Sequence, residues 1–241
     1  MVLTQAGERI LQAANRILHE AEIAELDVRR LVSGECGNIR LGISCPAIYH
    51  WLPKLLESAR LRIQKLRVQL VSDIADGLED NLISGKIDIA ISSYRSPSNH
   101  ICSEHILSDE IVAVVSKDHP WATKLCVMPQ DFEDQDLLLY DTPGSESVFL
   151  QQFLLPSKVT PNDLDFLPST EAIIEMVKMN MGVTALPRQI VEPNFDSELL
   201  RTVTLTKDGL RNDWYACYIE SNSLPVSIRT FIQCLTQKDK F

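Results

Sequence analysis

The chain has 241 residues, 45% of them hydrophobic, and a formal net charge of −10. This length exceeds what one small domain needs, and the hydrophobic fraction is ordinary for a globular protein with a sizeable core. Because so acidic a surface repels phosphate backbones, the composition excludes a chain that grips nucleic acid unaided.

The compartment follows from what the sequence lacks. No stretch approaches the roughly 18 consecutive apolar residues that would span a bilayer, and the N-terminus has no basic-then-apolar secretory pattern. The six cysteines are scattered without a Cys-x-x-Cys pair, which is typical of free thiols in a reducing compartment. We therefore expect a cytoplasmic protein with no membrane partner.

The first segment, residues 1–34, is predicted to be one long helix that pairs with another chain. Its apolar residues are spaced alternately by four and three, at Ile10, Ala14, Ile17, Ala21, Ala24 and Val28. This 3.5-residue period places them on one seam, as in a dimer-forming coiled coil. Packing of the seam on its own domain is the alternative.

After a short linker, apolar alternation and helical spacing succeed each other along the chain. Strands are predicted at residues 39–43, 66–71, 87–91, 111–116, 137–140, 164–167, 183–185, 200–205 and 214–219. Helical segments are predicted at residues 52–59, 74–84, 129–132, 146–154, 173–181 and 225–236. Strands separated by helices indicate right-handed crossovers and a parallel open sheet.

These elements predict an α/β fold of two Rossmann-like subdomains with a hinged cleft, of the type 2 periplasmic-binding-protein kind, after the long helix. Residues 38–110 and 206–241 form the first subdomain, and residues 111–205 form the second. The last helix returns to the first subdomain. Two crossover strands, near residues 107–111 and 203–206, are then left as the hinge.

Ligands of open α/β sheets bind beyond the carboxyl ends of the strands, where helix N-termini favour anions. The candidate effector-binding residues are Ser44, Cys45, Tyr49, Trp51, Ser92, Ser93, Tyr140, Asp141, Thr142, Ser169 and Thr170. Ser44 and Tyr49 are expected to donate to a carboxylate, and Asp141 to accept from an ammonium. Trp51 is expected to form an apolar wall. The alternatives are caps or turns for the hydroxyl residues and a core position for Trp51.

Other chemistry has little support in the sequence. His100, Cys102 and His105 gather three possible metal ligands, but no fourth is placed, so no metal site is expected. Cys45 and His50 suggest a thiol and a base, yet no nucleophile signature surrounds them. Since nucleotide and metalloprotease motifs are also lacking, we expect neither an enzyme nor a cofactor.

Four phrases resemble LysR-type transcriptional regulators. They are Leu-Thr-Gln-Ala-Gly at residues 3–7, the run at residues 82–91 around Gly-Lys-Ile-Asp, His-Pro-Trp-Ala at residues 119–122, and Gly-Val-Thr-Ala-Leu-Pro at residues 182–187. The resemblance implies a linker helix and an effector-binding domain that form a homodimer or homotetramer. It also implies promoter DNA as a partner, through a winged helix-turn-helix outside this sequence, and RNA polymerase as a further partner.

A nearer resemblance is to the regulators of methionine biosynthesis within that family. Cys45 before Trp51, Leu-Leu-Tyr at residues 138–140 and Phe-Leu-Leu-Pro at residues 153–156 carry it. It implies homocysteine as a small-molecule co-effector. Ser44 replaces an acidic residue and residues 142–147 replace a stretch with arginines, which puts the inherited effector in question.

Two readings from other classes remain open at this point. A solute-binding protein of a transport system has the same two-lobed fold, although the N-terminus and the cysteines argue against it. An enzyme on the same scaffold is the other, because a fold does not fix function.

Overall fold

The computed structural model describes residues 37–43, 46–71, 77–140, 147–192, 196, 198–219 and 224–236. It also describes eight positions nearer the N-terminus: Thr4, Gly7, Ile10, Ala14, Leu18, Ala21, Glu25 and Val28. Of the predicted site residues, Ser44, Cys45, Asp141 and Thr142 lie outside this description, as do Ile17 and Ala24 of the predicted seam.

Ten strands make up the sheet. They are β1 (Asn38–Ile43), β2 (Arg67–Val71), β3 (Ile89–Ser92), β4 (Ile101–Ser116), β5 (Cys126–Val127), β6 (Asp136–Tyr140), β7 (Asp163–Leu167), β8 (Val183–Pro187), β9 (Leu200–Leu205) and β10 (Leu210–Ile219). The α-helices are α1 (Leu52–Arg62), α2 (Leu78–Ile83), α3 (Thr170–Lys178), α4 (Arg188–Val191) and α5 (Val226–Thr236). Short 3-10 helices occur at Pro46–His50, Pro120–Thr123, Pro129–Phe132 and Leu155–Ser157, and a π-helix at Phe149–Leu154.

The strands form one mixed sheet in the order β2-β1-β3-β10-β4-β8-β6-β7, with β9 against β4 and β5. β1 is parallel to β2 and β3, and β6 is parallel to β7 and β8. β4 is antiparallel to β8, β9 and β10. The expectation of a parallel sheet is therefore wrong at its centre. β10, from the end of the chain, lies between β3 and β4 and runs antiparallel to both, and the end of β4 runs antiparallel to β8 and β9.

β4 joins two halves of this sheet. Its first part pairs with β10, and its last residues lie between β8 and β9. We call β1, β2, β3, β10 and the beginning of β4 the first half of the sheet, and the end of β4 with β5 to β9 the second half. The predicted subdomain boundary at residues 110 and 111 falls inside β4.

Each half has its own core. In the first half, α1 and α5 cover one face of the sheet, and Leu52, Leu55 and Phe231 are buried there. The last helix thus packs with the earliest strands. The second half buries an aromatic group in which Phe132 contacts the rings of Trp121, Phe149 and Phe153. Burial of these apolar surfaces is the main favourable term for folding.

Most predicted elements are confirmed, but several differ in their ends, and the largest difference is β4, which begins at Ile101 rather than at Ile111. α3 ends at Lys178, three residues before Met181, which is exposed. The helix predicted over residues 74–84 begins only at Leu78, because Gly77 is its N-cap with φ of 86° and ψ of 159°; residues 72–76 lie outside the description. β10 begins at Leu210 rather than at Trp214, since residues 210–213 pair with β4 despite their polar sequence.

The described positions from Gly7 to Val28 are helical and largely exposed. Ile10, Leu18 and Val28 expose 70%, 61% and 57% of their surface. Within the described residues, no helix combines the length and apolar composition needed to cross a membrane.

Candidate ligand-binding site

A cavity of about 70 Å³ lies between the two halves of the sheet. We call it the cleft cavity. It is lined by Ser93, Ile111, Leu139, Tyr140, Ser147, Val148, Phe149, Leu150, Ala185, Pro187, Asn212 and Trp214. The first half of the sheet contributes Asn212 and Trp214, and the second half contributes Leu139 and Ala185. A ligand here would contact both halves at once.

The described lining of the cleft cavity carries no charged side chain. Its polar members are Ser93, Tyr140, Ser147 and Asn212, and the others are apolar or aromatic. Because a charge moved into such surroundings loses its hydration without a counter-charge, the cavity suits a neutral group. A charged end of a ligand would have to stay outside it.

A chain of hydrogen bonds crosses from one half of the molecule to the other beside this cavity. The Tyr140 hydroxyl, at the end of β6, bonds to Thr170 Oγ1, at the start of α3. Thr170 Oγ1 also lies 3.5 Å from His50 Nε2, in the 3-10 helix after β1. Since Tyr140 and Thr170 are buried, these bonds fix the second half against the loop of the first.

The structure brings several of the predicted residues to this place. Ser93 and Tyr140 line the cleft cavity, and Thr170 bonds to Tyr140. Ser92 is buried next to them, and its Oγ accepts a hydrogen bond from Tyr94 N at 3.1 Å. Ser169 Oγ accepts from Ala172 N at 3.2 Å, so it is the N-cap of α3.

The two aromatic residues predicted after β1 do not line the cleft cavity. Tyr49 is exposed, and Trp51 is buried in the core of the first half. The Trp51 ring packs edge-on against Trp214, with centroids 6.4 Å apart. The apolar wall thus comes from Trp214, with Trp51 behind it.

Sequence reasoning missed Asn212 and Trp214, which enter the cavity from β10. Their side chains alternate with those of Arg211 and Asp213 along the strand, so they share one face. The available signal was the polar residue two positions before a tryptophan. The alternation of side chains along β10 could not be recognised in the sequence without knowing that the strand begins at Leu210.

A second cavity of about 310 Å³ adjoins the first, and Ser93 and Val148 border both. Charged residues line this one: Arg95, Arg211 and Asp213. The Arg95 guanidinium lies 5.0 Å from the centre of the Tyr215 ring, a cation–π contact. Burial raises the pKa of Asp213, but hydrogen bonds from Ser108 and Arg211 lower it by more. The net shift is therefore downward, and the carboxylate stays ionised.

Asp109 lies directly opposite Asn212 on the paired strands β4 and β10. Its carboxylate accepts hydrogen bonds from Glu110 N at 2.7 Å and Gln189 N at 3.3 Å. Burial raises the pKa of Asp109 above its usual value, although these bonds and Arg188 oppose the shift. Two polar side chains therefore occupy the strip between the cores of the two halves.

The described residues form no candidate metal site. No three His, Cys, Asp or Glu side chains gather among them in a way that could hold a metal ion. His105 Nε2 instead lies 3.0 Å from Ser108 Oγ and 3.4 Å from Asp213 Oδ1, in a polar cluster on the paired strands β4 and β10.

A neutral cavity between two halves of one mixed sheet, crossed by two strands, defines a small-molecule-binding α/β domain. The chain belongs to the LysR substrate binding domain family, whose model matches residues 33–240. The predicted resemblance to LysR-type regulators is thus confirmed.

Individual relatives agree with this assignment. The transcriptional regulator MetR of Salmonella typhimurium is 27% identical over 230 residues, which are 95% of this chain and 71% of that protein. The Hca operon activator HcaR of Escherichia coli is 28% identical over 189 residues, 78% of this chain and 64% of that protein. Since these relatives are transcriptional regulators, the chain is not an enzyme.

Solved structures show the same fold. The regulatory domain of MetR from Neisseria meningitidis superposes with a TM-score of 0.76 at 24% identity, covering 83% of this chain and 92% of that one. The effector-binding domain of BenM, solved with its effector benzoate, gives a TM-score of 0.67 at 17% identity and covers 82% of this chain and 90% of that one.

Proposed function

We propose that this chain is the effector-binding and oligomerisation portion of a MetR-like transcriptional regulator, with a small amino acid such as homocysteine as co-effector. The observation that carries the proposal is the cleft cavity, whose neutral lining is drawn from both halves of the sheet. A ligand that touches both halves can change how they are oriented.

Homocysteine fits the chemistry of the two adjoining cavities. Its side chain of two methylenes and a thiol is small and neutral, like the lining of the cleft cavity. Its carboxylate and ammonium would face the second cavity, where Arg95 and Asp213 supply opposite charges. Ser93 and Val148 border both spaces and would lie beside the middle of the ligand.

The ligand would act by closing the cleft and shifting how copies of the chain pair. In the full-length regulator this shift would change the angle between helix-turn-helix domains at two promoter half-sites. A ligand can move this equilibrium only by its difference in affinity for the two arrangements. The same oligomer shape by solution scattering, with and without saturating ligand, would contradict this mechanism.

Self-association is proposed through the exposed face of the N-terminal helical positions and through the two sheet edges. β2 and β7 end the sheet, and exposed apolar side chains such as Leu70 and Phe166 stand on them. An unpaired edge strand that carries exposed apolar residues offers a surface on which another chain can pair. The partner chain we propose is a second copy.

Substitution of Val28 by lysine tests the helical part of this contact. A buried lysine in a coiled-coil seam weakens pairing, so Val28→Lys should shift sedimentation towards the monomer. Leu125→Lys is the matched control, since Leu125 is 94% exposed and lies in the bend before β5, outside the predicted seam. Equal sedimentation of both variants and the wild type would show that the seam is not the interface.

The effector proposal is tested by calorimetric titration with L-homocysteine, with L-methionine and L-cysteine as controls. Saturable heat for homocysteine alone supports the proposed effector. Heat for none of the three contradicts the effector and leaves the family assignment untouched, because that rests on the family match over residues 33–240.

A further inference from the structure

Two asparagines are almost fully buried in the described part of the chain, and they differ in one respect. Asn81 is 1% exposed, and its Nδ2 donates to Gly77 O at 2.5 Å. Asn212 is 2% exposed, yet its carboxamide has no hydrogen-bond partner among the described residues. Native proteins rarely leave a buried amide in this state, because it has given up its bonds to water.

The unsatisfied carboxamide faces the cleft cavity. Leu210, Asn212 and Trp214 are every second residue of β10, so their side chains lie on the same face of the strand. Asn212 and Trp214 also line the cavity. Leu210 belongs to the core of the second half and Trp214 to that of the first, so Asn212 stands between the two cores. A polar group thus sits where an apolar one would pack best.

We propose that the Asn212 carboxamide forms a hydrogen bond with a neutral polar atom of the ligand that enters the cleft cavity. The ligand class is a small molecule whose inserted part is apolar except for one neutral group, such as a thiol, thioether or hydroxyl. Among the described lining residues there is no charged side chain to pair with a carboxylate or ammonium at that place. This inference rests on the proposed function, because it takes the cleft cavity as the effector site.

The carboxamide suits such a role because it both donates and accepts. Its Nδ2 can donate to a thioether or hydroxyl, and its Oδ1 can accept from a thiol or hydroxyl. A site built to bond such a group rejects an analogue that lacks it, since the buried amide is then left unpaired. Asn212 would therefore set specificity more than total affinity.

The first experiment needs no ligand and compares the same substitution at the two buried asparagines. Leucine is close to asparagine in shape and removes the polar group. Asn212→Leu should leave the melting temperature of the ligand-free 241-residue chain unchanged or raise it by about 2 °C. Asn81→Leu removes a made bond and should lower it by about 4 °C. A fall for Asn212→Leu as large as for Asn81→Leu would overturn the inference, because it would reveal a satisfied, structural amide.

The second experiment measures Kd for L-homocysteine, L-norvaline and L-glutamate. Norvaline has a methyl group where homocysteine has the thiol, and glutamate has a carboxylate. The wild type should bind homocysteine about tenfold more tightly than norvaline and should not bind glutamate. Asn212→Leu should bind homocysteine and norvaline equally.

The outcomes separate the two proposals. A wild type that prefers homocysteine, together with an Asn212→Leu variant that keeps the preference, would overturn the role of Asn212 but not the effector. If the wild type binds none of the three, the homocysteine proposal fails. The inference is then decided by the ligand-free melting temperatures alone.

Discussion

Two connections join the halves of the sheet, and they are built differently. The first is β4, an unbroken strand of 16 residues that belongs to both halves. The second runs from β9 to β10 and is interrupted by residues 206–209, where Thr206 and Gly209 have φ values of 61° and 78°. Thr206 N still donates to Val127 O of β5, but residues 207–209 lie outside the strand pairing and can change their dihedral angles at a lower cost than β4 can.

The surroundings of the two connections reinforce this contrast. Val112, Ala113 and Val114 of β4 are fully buried and pair with both β8 and β9. In the turn, Thr206 Oγ1 accepts a hydrogen bond from Asp208 N and donates one to Gly209 O, both at 3.3 Å. We therefore expect hinge motion to be absorbed by the turn, while β4 twists as a whole.

The largest effect is expected from breaking the first connection. Ala113→Pro removes an N–H between two paired neighbours, so it should lower the free energy of unfolding by about 3 kcal/mol or more. Urea denaturation followed by circular dichroism measures the loss, with Ala113→Gly as a control that keeps the N–H. An Ala113→Pro midpoint equal to that of Ala113→Gly would mean that β4 tolerates a break.

A smaller effect is expected at the second connection. A Cβ at Gly209 would lie 3.2 Å from Glu110 Oε1, in a conformation with φ of 78°. Gly209→Ala should therefore cost about 2 kcal/mol, from left-handed strain and from crowding of the Glu110–Arg188 ion pair. Gly85→Ala is the control, since Gly85 has φ of 70° and open space around it.

The difference between these two glycine variants isolates the contact with Glu110. If Gly209→Ala and Gly85→Ala destabilise the protein equally in urea, crowding at the turn contributes nothing. The turn would then be looser than its packing indicates.

The smallest effect is a pH dependence in the strip between the cores. Burial is the main cause that raises the pKa of Asp109. The protonated form is thus favoured in the folded state, so its stabilising contribution is complete below the unfolded pKa of about 3.9 and is lost as pH rises through the folded pKa. Asp109→Asn should gain stability relative to the wild type between acid pH and pH 7, measured by urea midpoints.

Asp213 on β10 supplies a control of opposite sign. The pKa of Asp213 is lowered, because bonds from Ser108 and Arg211 outweigh burial. Its contribution is present above the unfolded pKa and lost as pH falls, so Asp213→Asn should lose stability relative to the wild type as pH rises. A constant difference from the wild type across this range, for either variant, would contradict the corresponding prediction.

Periodicity in the sequence was sufficient for elements whose own residues define a face. Ile228, Phe231 and Leu235 recur at helical spacing and are buried in α5, where the sequence predicts a helix over residues 225–236. The start of β10 could not be predicted in this way. Arg211, Asn212 and Asp213 are poor strand residues, and they pair only because β4 presents a partner strand.

The residues of the candidate site could likewise be predicted only in part. Ser93 and Tyr140 follow from the rule that ligands bind beyond the carboxyl ends of parallel strands. Asn212 and Trp214 escape that rule, since they lie near the amino end of β10. Because β10 runs antiparallel to β3, its amino end reaches the edge where β3 finishes. Only the three-dimensional pairing reveals this.

The π-helix at Phe149–Leu154 has a consequence for how this domain tolerates insertions and deletions. Leu155 N donates to Leu150 O, five residues back, so this turn contains one more residue than an α-helical turn. Phe149 lines the cleft cavity and stacks on Phe153, with ring centroids 5.3 Å apart. Deleting one residue here would restore an α-helix and rotate the preceding side chains by about 100°. The wall of the cavity therefore depends on chain length at this turn as well as on residue identity.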